Sequence, residues 1–248
     1  MYHLGAMAAW CFLAAIPALF TANPAGSSRS LMRYLLSDHR CPGCEIRKPL
    51  CFCAMIPRIE LQTRVVILMH CFEQVLTTNT AKLAHRSLTN SEIRVHGRKD
   101  ERLSSADLNE TGRQSLLLYP SPNAAELNAE FVSRLSSPVT LIVPDANWRQ
   151  THKFVRREPA LIGIPHVRLP AGPPTEYHLR VQRHESGVCT LEAIARAIGQ
   201  LESPEAQAKL EVLLRVMVER TLWSRGKLSA ERCVTAGIPR EARGLKQR

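Results

Sequence analysis

Four cysteines, Cys41, Cys44, Cys51 and Cys53, stand within thirteen residues in the pattern C-x2-C-x6-C-x-C, while the other four of the chain are scattered. At such short spacings a tight turn can aim both sulfurs of each pair at one tetrahedral ion, and Zn2+ is the ion that suits four thiolates. The competing chemistry is a disulfide staple. A Cys-x-Cys pair closes only a strained bridge on itself, so bridges would have to run between the pairs, in an oxidising compartment. With zinc bound, four thiolates leave no open coordination position, which gives the cluster a structural role.

A carboxylate is the second group of interest. Asp145 directly follows the apolar run 139–143 (VTLIV), and Trp148 comes three residues later, so acid and indole flank a helix N-terminus. Asp is a good N-cap, which is the structural reading of this position. Trp148, Thr151 and Val155 repeat at i, i+3 and i+7, so the indole fits a core stripe equally well. On the other side of the same helix fall Arg149, Lys153, Arg156 and Arg157. They are suited to contacting phosphates, or to forming a solvated charged face.

The chain of 248 residues carries 33 Lys plus Arg against 22 Asp plus Glu, a net charge of +11 that favours polyanionic partners. At 45% apolar and 22% charged the composition is that of a folded globular protein, either one large domain or two small ones. Aromatics at 5% are too few for a surface that holds nucleic acid chiefly by stacking.

Short β-type runs alternating with helical patterns must position these groups, the signature of an α/β domain. Residues 63–69 (TRVVILM), 93–96, 115–119 (SLLLY), 139–143 and 166–169 are the strands. Their continuous apolar character fits a mostly parallel sheet buried on both faces by flanking helices. Helices are expected over 77–88, over 124–135, from Asp145 to about Arg157, and in two closing segments with apolar stripes around Leu191–Leu201 and Leu210–Val218. Residues 97–112 read as a mobile polar loop, 170–175 as a Pro-rich loop, and the basic tail from Arg240 as frayed. His70, Pro120 and Asp145 each stand where an apolar run stops. Ligand crevices of open parallel sheets form outside the carboxyl ends of the strands, so these residues point to one cleft.

Residues 4–22 form an uncharged run interrupted by Pro17 and followed by the small-residue linker 23–30. It resembles a signal sequence, yet no Lys or Arg precedes it. The preferred reading is an over-extended start with the protein beginning at Met32, because all that follows reads as a cytoplasmic enzyme. The organisation is then an extension over 1–31, a four-cysteine zinc element over 32–60, a catalytic domain over 61–225 and a basic tail over 226–248.

Five motifs occur in order: the Cys cluster, residues 77–80 (TTNT), residues 145–148 (DANW), residues 173–180 (P-P-x-x-Y-x-L-R) and residues 189–192 (C-T-x-E). In this order they resemble the DTW-domain family, the tRNA-uridine aminocarboxypropyltransferases, over about residues 32–223. The family's D-x-T-W has Asn147 in place of the Thr here, and its Arg four residues after the Trp is His152. What the resemblance implies is transfer of the 3-amino-3-carboxypropyl group of S-adenosyl-L-methionine to N3 of a uridine in tRNA. It also implies a SPOUT-like α/β fold, a class whose cofactor pocket lies in a knotted C-terminal region.

Carried over residue by residue, the match puts Thr80, Leu118, Trp148 and Thr190 at the cofactor pocket, with Tyr119, Pro120, Tyr177 and Arg180 close by. Leu118 and Tyr119 would offer backbone groups to adenine, and Arg180 would pair with the cofactor's carboxylate. Each has an ordinary structural reading too: Thr80 and Thr190 as helix-start residues, Leu118 as core, Tyr177 as loop packing. Asp145 is the candidate general base or the group that orients the uracil edge, with a pKa lowered by the helix N-terminus. The implied partners are tRNA, S-adenosylmethionine and Zn2+, with no membrane and no obligate protein partner. Two alternatives stay open: a SPOUT-type RNA methyltransferase, and a non-catalytic zinc-containing RNA-binding module.

Overall fold

The structure, a computed structural model, describes residues 39–98, 103, 107–180 and 187–245. The expectations for residues 1–31 and for a start at Met32 lie outside these residues. In chain order the elements are β1 (Arg64–His70), α1 (Ala81–Ser87), β2 (Ser91–His96), β3 (Gln114–Leu118), β4 (Ala125–Glu126) and α2 (Ala129–Ser133). There follow β5 (Val139–Asp145), α3 (Trp148–Arg157), β6 (His166–Arg168), α4 (Thr190–Leu201) and α5 (Pro204–Ser224). The six strands form one sheet in the order β2-β1-β5-β3-β6-β4, and every pairing is parallel.

Burial explains why the central strands read as unbroken apolar runs. Successive side chains of a strand point to opposite faces, so a strand covered on both sides needs apolar residues at every position. Val65, Ile67 and Met69 of β1 join Leu141 and Val143 of β5 in a core with α1, α4 and α5. Val66 and Leu68 join Leu117 and Ile142 in a second core, covered by Phe154 and Val155 of α3 and by Leu161 and Ile164. The larger core runs without a break from Cys44 in the Cys segment to Ala242 near the end of the described chain.

The connections leave β1 and β5 in opposite directions. From β1 the chain passes through α1 to the edge strand β2, whereas from β5 it passes through α3 to β6 on the other side. Such a reversal opens a crevice outside the carboxyl ends of the two adjacent strands. Met69 and Asp145 are register partners at that end of the β1–β5 pair. Pro144 fits there because β3 leaves β5 after Leu117↔Ile142, so it has a strand neighbour on one side only.

Three segments differ from their sequence reading. The stretch 124–135 is not one helix: Asn128 accepts from the backbone N–H of Phe131 at 2.9 Å, which starts α2 only at Ala129. Ahead of that cap, Ala125 and Glu126 pair with β6 as an edge strand. The loop after β2 is anchored where it is described. Leu108 is fully buried in the α3-side core, and Asp107 bridges Arg64 and Arg94. From Arg240 the chain makes a 3-10 turn whose Ala242 is buried in the main core, so residues 240–245 are packed and not frayed. No helix among the described residues is long and apolar enough to cross a membrane.

The buried position of Leu108 gives a direct stability test. Leu108→Ala should cost about 2–5 kcal/mol in urea denaturation, the range for a leucine truncated inside a core. A loss under about 0.5 kcal/mol, as for a surface loop residue, would show that this segment does not pack as described.

Candidate active site

The crevice at the switch point is an open cleft of about 1140 Å³. Its walls come from the ends of β3, β5 and β6, the N-termini of α3 and α4, the segment before α1 and the Pro-rich loop after β6. The residues that the family resemblance would put at the cofactor all line it: Thr80, Leu118, Tyr119, Pro120, Trp148, Tyr177, Arg180 and Thr190, together with Asp145.

Asp145, 5% exposed, closes the floor. One carboxylate oxygen accepts from the Thr190 hydroxyl at 2.5 Å, and the other accepts from the Asn79 amide at 2.7 Å. The orientation of Asn79 is fixed by its other end, because its side-chain oxygen accepts from the Lys82 N–H in the first turn of α1 at 3.1 Å. Thr80 adds a second tie, accepting from the Leu191 N–H at 3.3 Å. Three segments distant in sequence are thus clamped around one buried acid.

The pKa expected for Asp145 needs correction. Burial raises it, and the hydrogen bonds from Thr190 and Asn79 only partly offset that effect. The helix N-terminus does not govern it, because Asp145 is the last residue of β5 and not the cap. The cap of α3 is Asn147, whose side chain accepts from the Gln150 N–H at 3.0 Å while Gln150 accepts from the Asn147 N–H at 3.3 Å. This accounts for the departure at that position: Asn caps a helix at least as well as Thr. Trp148, 42% exposed, forms cleft wall and not core, while Thr151 of the same helix is buried.

A second buried acid shapes the Pro-rich loop. Glu192 accepts from the Thr175 hydroxyl at 2.5 Å, the Glu176 N–H at 2.7 Å and the Cys189 N–H at 2.9 Å. The 173–180 and 189–192 motifs are therefore two sides of one joint. Tyr177 donates to the Thr78 carbonyl at 2.8 Å, and burial raises its pKa. Arg180 is already engaged, with Glu73 at 3.2 Å and the Thr78 hydroxyl at 3.2 Å. Burial pushes the Cys189 thiol up to about 12, which removes it as a nucleophile near neutral pH. At the opposite wall the Tyr119 hydroxyl meets His152 Nδ1 at 3.1 Å.

Of the proposed RNA-contacting residues, Arg149 lies at the cleft, while Lys153, Arg156 and Arg157 continue outward along the exposed side of α3. Sequence reading alone misses Asn79, Glu73, Glu192 and Arg196. Asn79 and Glu192 stand inside quoted motifs and could have been found there. Glu73 and Arg196 carry no pattern, since only the folded chain brings them to the cleft.

The four clustered cysteines come together as expected, with all four sulfurs within 4.8 Å of one another. The pairs Cys41–Cys53, Cys41–Cys51 and Cys44–Cys51 are 3.5, 3.4 and 3.7 Å apart. A tetrahedral ion with bonds of about 2.3 Å has sulfur–sulfur edges of about 3.8 Å, so the donors fit a metal, whereas a disulfide needs about 2.05 Å. The turn depends on Glu45 at φ +58°, and Glu45 also pairs with Lys82 of α1 at 2.7 Å. From the other side Arg220 of α5 donates to the carbonyls of Leu50 and Cys51 at 3.1 and 2.7 Å.

Comparison with known proteins identifies the family of the chain. Residues 38–222 match the DTW domain. A tRNA-uridine aminocarboxypropyltransferase 2 of Drosophila melanogaster is 30% identical over 179 residues, which cover 69% of this chain and 70% of that protein. Proteins of the same name from Mus musculus and Macaca fascicularis are 29% and 28% identical over 73% and 65% of this chain. The match spans 66% and 56% of their own lengths. No solved structure matches the chain significantly.

The raised pKa of Asp145 makes a prediction whose sign is fixed. A carboxyl with a folded pKa above its unfolded value, about 3.9, holds its proton more tightly when folded. Its ionisation therefore weakens the fold as pH rises from that value through the folded pKa. Asp145→Asn should gain stability relative to wild type between pH 4 and pH 8 in parallel urea titrations. A difference that stays constant with pH would show that the carboxylate is not penalised by burial.

Proposed function

The chain belongs to the DTW-domain family, and on that premise we propose that it transfers the 3-amino-3-carboxypropyl group of S-adenosylmethionine to N3 of a uridine in tRNA. The observation that carries this reading is the buried Asp145, joined to Asn79 and Thr190 at the floor of a cleft of about 1140 Å³. That volume exceeds what one small ligand usually fills and has room for a donor nucleoside beside an inserted base.

The sulfonium donor supplies an electrophilic γ-methylene, so that N3–C bond formation and C–S cleavage leave 5′-methylthioadenosine, with the pair of electrons on sulfur. The protein's part is to remove the N3 proton and hold the two partners in line. Asp145 suits the first task better than a surface aspartate, because its raised pKa brings it closer to the operating pH. Its hydrogen bonds to Thr190 and Asn79 fix the direction of the remaining lone pairs, which is the positioning half of the work. Trp148 offers an aromatic face in the wall, suited to a flat nucleoside or to a cation.

Cys41, Cys44, Cys51 and Cys53 would hold a zinc ion, which would serve as a structural support. The site leans on α1 through Glu45 and Lys82, and α1 follows directly from the Asn79–Thr80 corner of the cleft. Thiolates available to a metal accord with a reducing compartment, the cytoplasm. Arg149, Lys153, Arg156 and Arg157 lead from the cleft rim along α3 and would hold tRNA phosphates.

Nucleoside mass spectrometry of tRNA incubated with the protein and S-adenosylmethionine tests the reaction. Wild type should yield 3-(3-amino-3-carboxypropyl)uridine together with 5′-methylthioadenosine, and Asp145→Ala should fall by about 10²-fold or more. S-Adenosylhomocysteine as the product would point instead to methyl transfer, and no product with any tRNA would leave a binding module. Metal analysis of the purified chain should give one zinc per molecule, lost in Cys51→Ser; a full complement of zinc in that variant would refute the site. For the RNA surface, Arg149→Ala combined with Lys153→Ala should weaken tRNA binding and flatten its salt dependence. An unchanged salt slope would remove the two residues from the interface.

A further inference from the structure

Four arginines line the cleft: Arg149, Arg168, Arg180 and Arg196. Arg149 is solvated at the rim, Arg168 pairs with Glu126 at 3.0 Å, and Arg180, its side chain 39% exposed, pairs with Glu73. Arg196 differs from all three. Its side chain is only 15% exposed, yet its nearest acid, Glu192, lies at 4.0 Å and its hydrogen-bond acceptor, the Pro174 carbonyl, at 3.5 Å. Glu192 is held in that position by the bonds it accepts from Thr175, Glu176 and Cys189. Among the described residues Nε of Arg196 is buried with no hydrogen-bond partner at all. A guanidinium has five N–H donors, and with Nε unmet and Nη2 bound only at long distances an arriving anion would be favoured in this mostly dry wall.

The surroundings make room for such an anion. Thr190, Ala193 and Arg196 repeat along the face of α4 that borders the cleft, and the alanine between them is small. Arg196 stands six residues after Thr190, a rise of about 9 Å along α4, and helical side chains lean toward the N-terminus, the end where Thr190 bonds Asp145. The Pro-rich loop faces this head group at Gly172, where even a Cβ would stand 3.4 Å from Nη1, at ordinary contact distance.

We infer that Arg196, and not Arg180, receives the carboxylate of the donor's amino-acid end, and so decides that the γ-carbon and not the methyl group faces the acceptor. The inference rests on the proposed donor and goes beyond it by naming the residue that reads the transferred group. A carboxylate held by a planar fork accepts two parallel hydrogen bonds, which fixes direction as well as charge. Held there, the chain between carboxylate and sulfur runs alongside Thr190 and Asp145.

The test compares two ligands that differ in the carboxylate-bearing chain. Calorimetric titration of S-adenosylmethionine into the full chain should show an affinity about 10- to 100-fold weaker in Arg196→Gln than in wild type. Affinity for 5′-methylthioadenosine, which lacks that chain, should agree within about twofold, reporting an intact cleft. Arg196→Lys should fall between the two for the first ligand and match wild type for the second. Equal losses for both ligands would show a merely structural arginine, and no loss for S-adenosylmethionine would place its carboxylate elsewhere; either result overturns the inference. A weakened affinity for tRNA with the donor unaffected would do so as well, by making Arg196 a phosphate contact. If wild type binds neither small ligand, the donor assignment falls together with Arg196. If wild type binds both and Arg196→Gln is indistinguishable from it, Arg196 alone is wrong.

Discussion

Keeping a carboxylate nearly dry at the end of a strand is the constraint from which the site follows. Asp145 is 5% exposed, so its charge must be met by donors from the protein. Nothing within its own strand supplies them. They come from Asn79, 66 residues away, and from Thr190, 45 residues away. A single acid therefore forces the start of α1 and the start of α4 against the end of β5. Removing one partner of such a buried group typically costs about 1–3 kcal/mol, so the arrangement is held cooperatively. Burial outweighs that compensation and leaves the carboxyl with a raised pKa, a property useful in proton transfer and unhelpful to stability.

Glu192 repeats the device one layer out. Its buried carboxylate gathers two donors from the Pro-rich loop and one from the turn before α4. A loop rich in proline has few backbone N–H groups with which to anchor itself, and a carboxylate acceptor on a rigid helix compensates for that shortage. The cleft is thus shaped by acids that are themselves satisfied, which leaves the unsatisfied group, Arg196, as its most informative cation.

What could be read in the sequence tracks how local each cause is. The strands were legible because a parallel sheet covered on both faces demands apolar residues at every position, and β1 and β5 carry such runs. The Cys cluster was legible because its spacing alone determines the donor set. Residues 124–135 were misread as one helix because the cap at Asn128 and the edge pairing of Ala125 with Val167 are settled by neighbours outside the segment. Leu108 looked like a loop residue for want of any periodicity, yet tertiary contact buries it. In the site, Asp145 drew notice through its position after a strand, but its pKa was misjudged because burial is not a local property. Glu73 and Arg196 were invisible, since their meaning lies in which groups reach them and which do not.

The central claim is that residues 77–81, 145–149, 173–180 and 189–193 form one binding site around Asp145. Hydrogen–deuterium exchange on the full chain, with and without S-adenosylmethionine, tests it most directly. The donor should slow exchange in all four stretches together, with residues 240–245, which do not line the cleft, unaffected. Protection confined to one stretch, or appearing at the Cys cluster while these four stay unchanged, would contradict it.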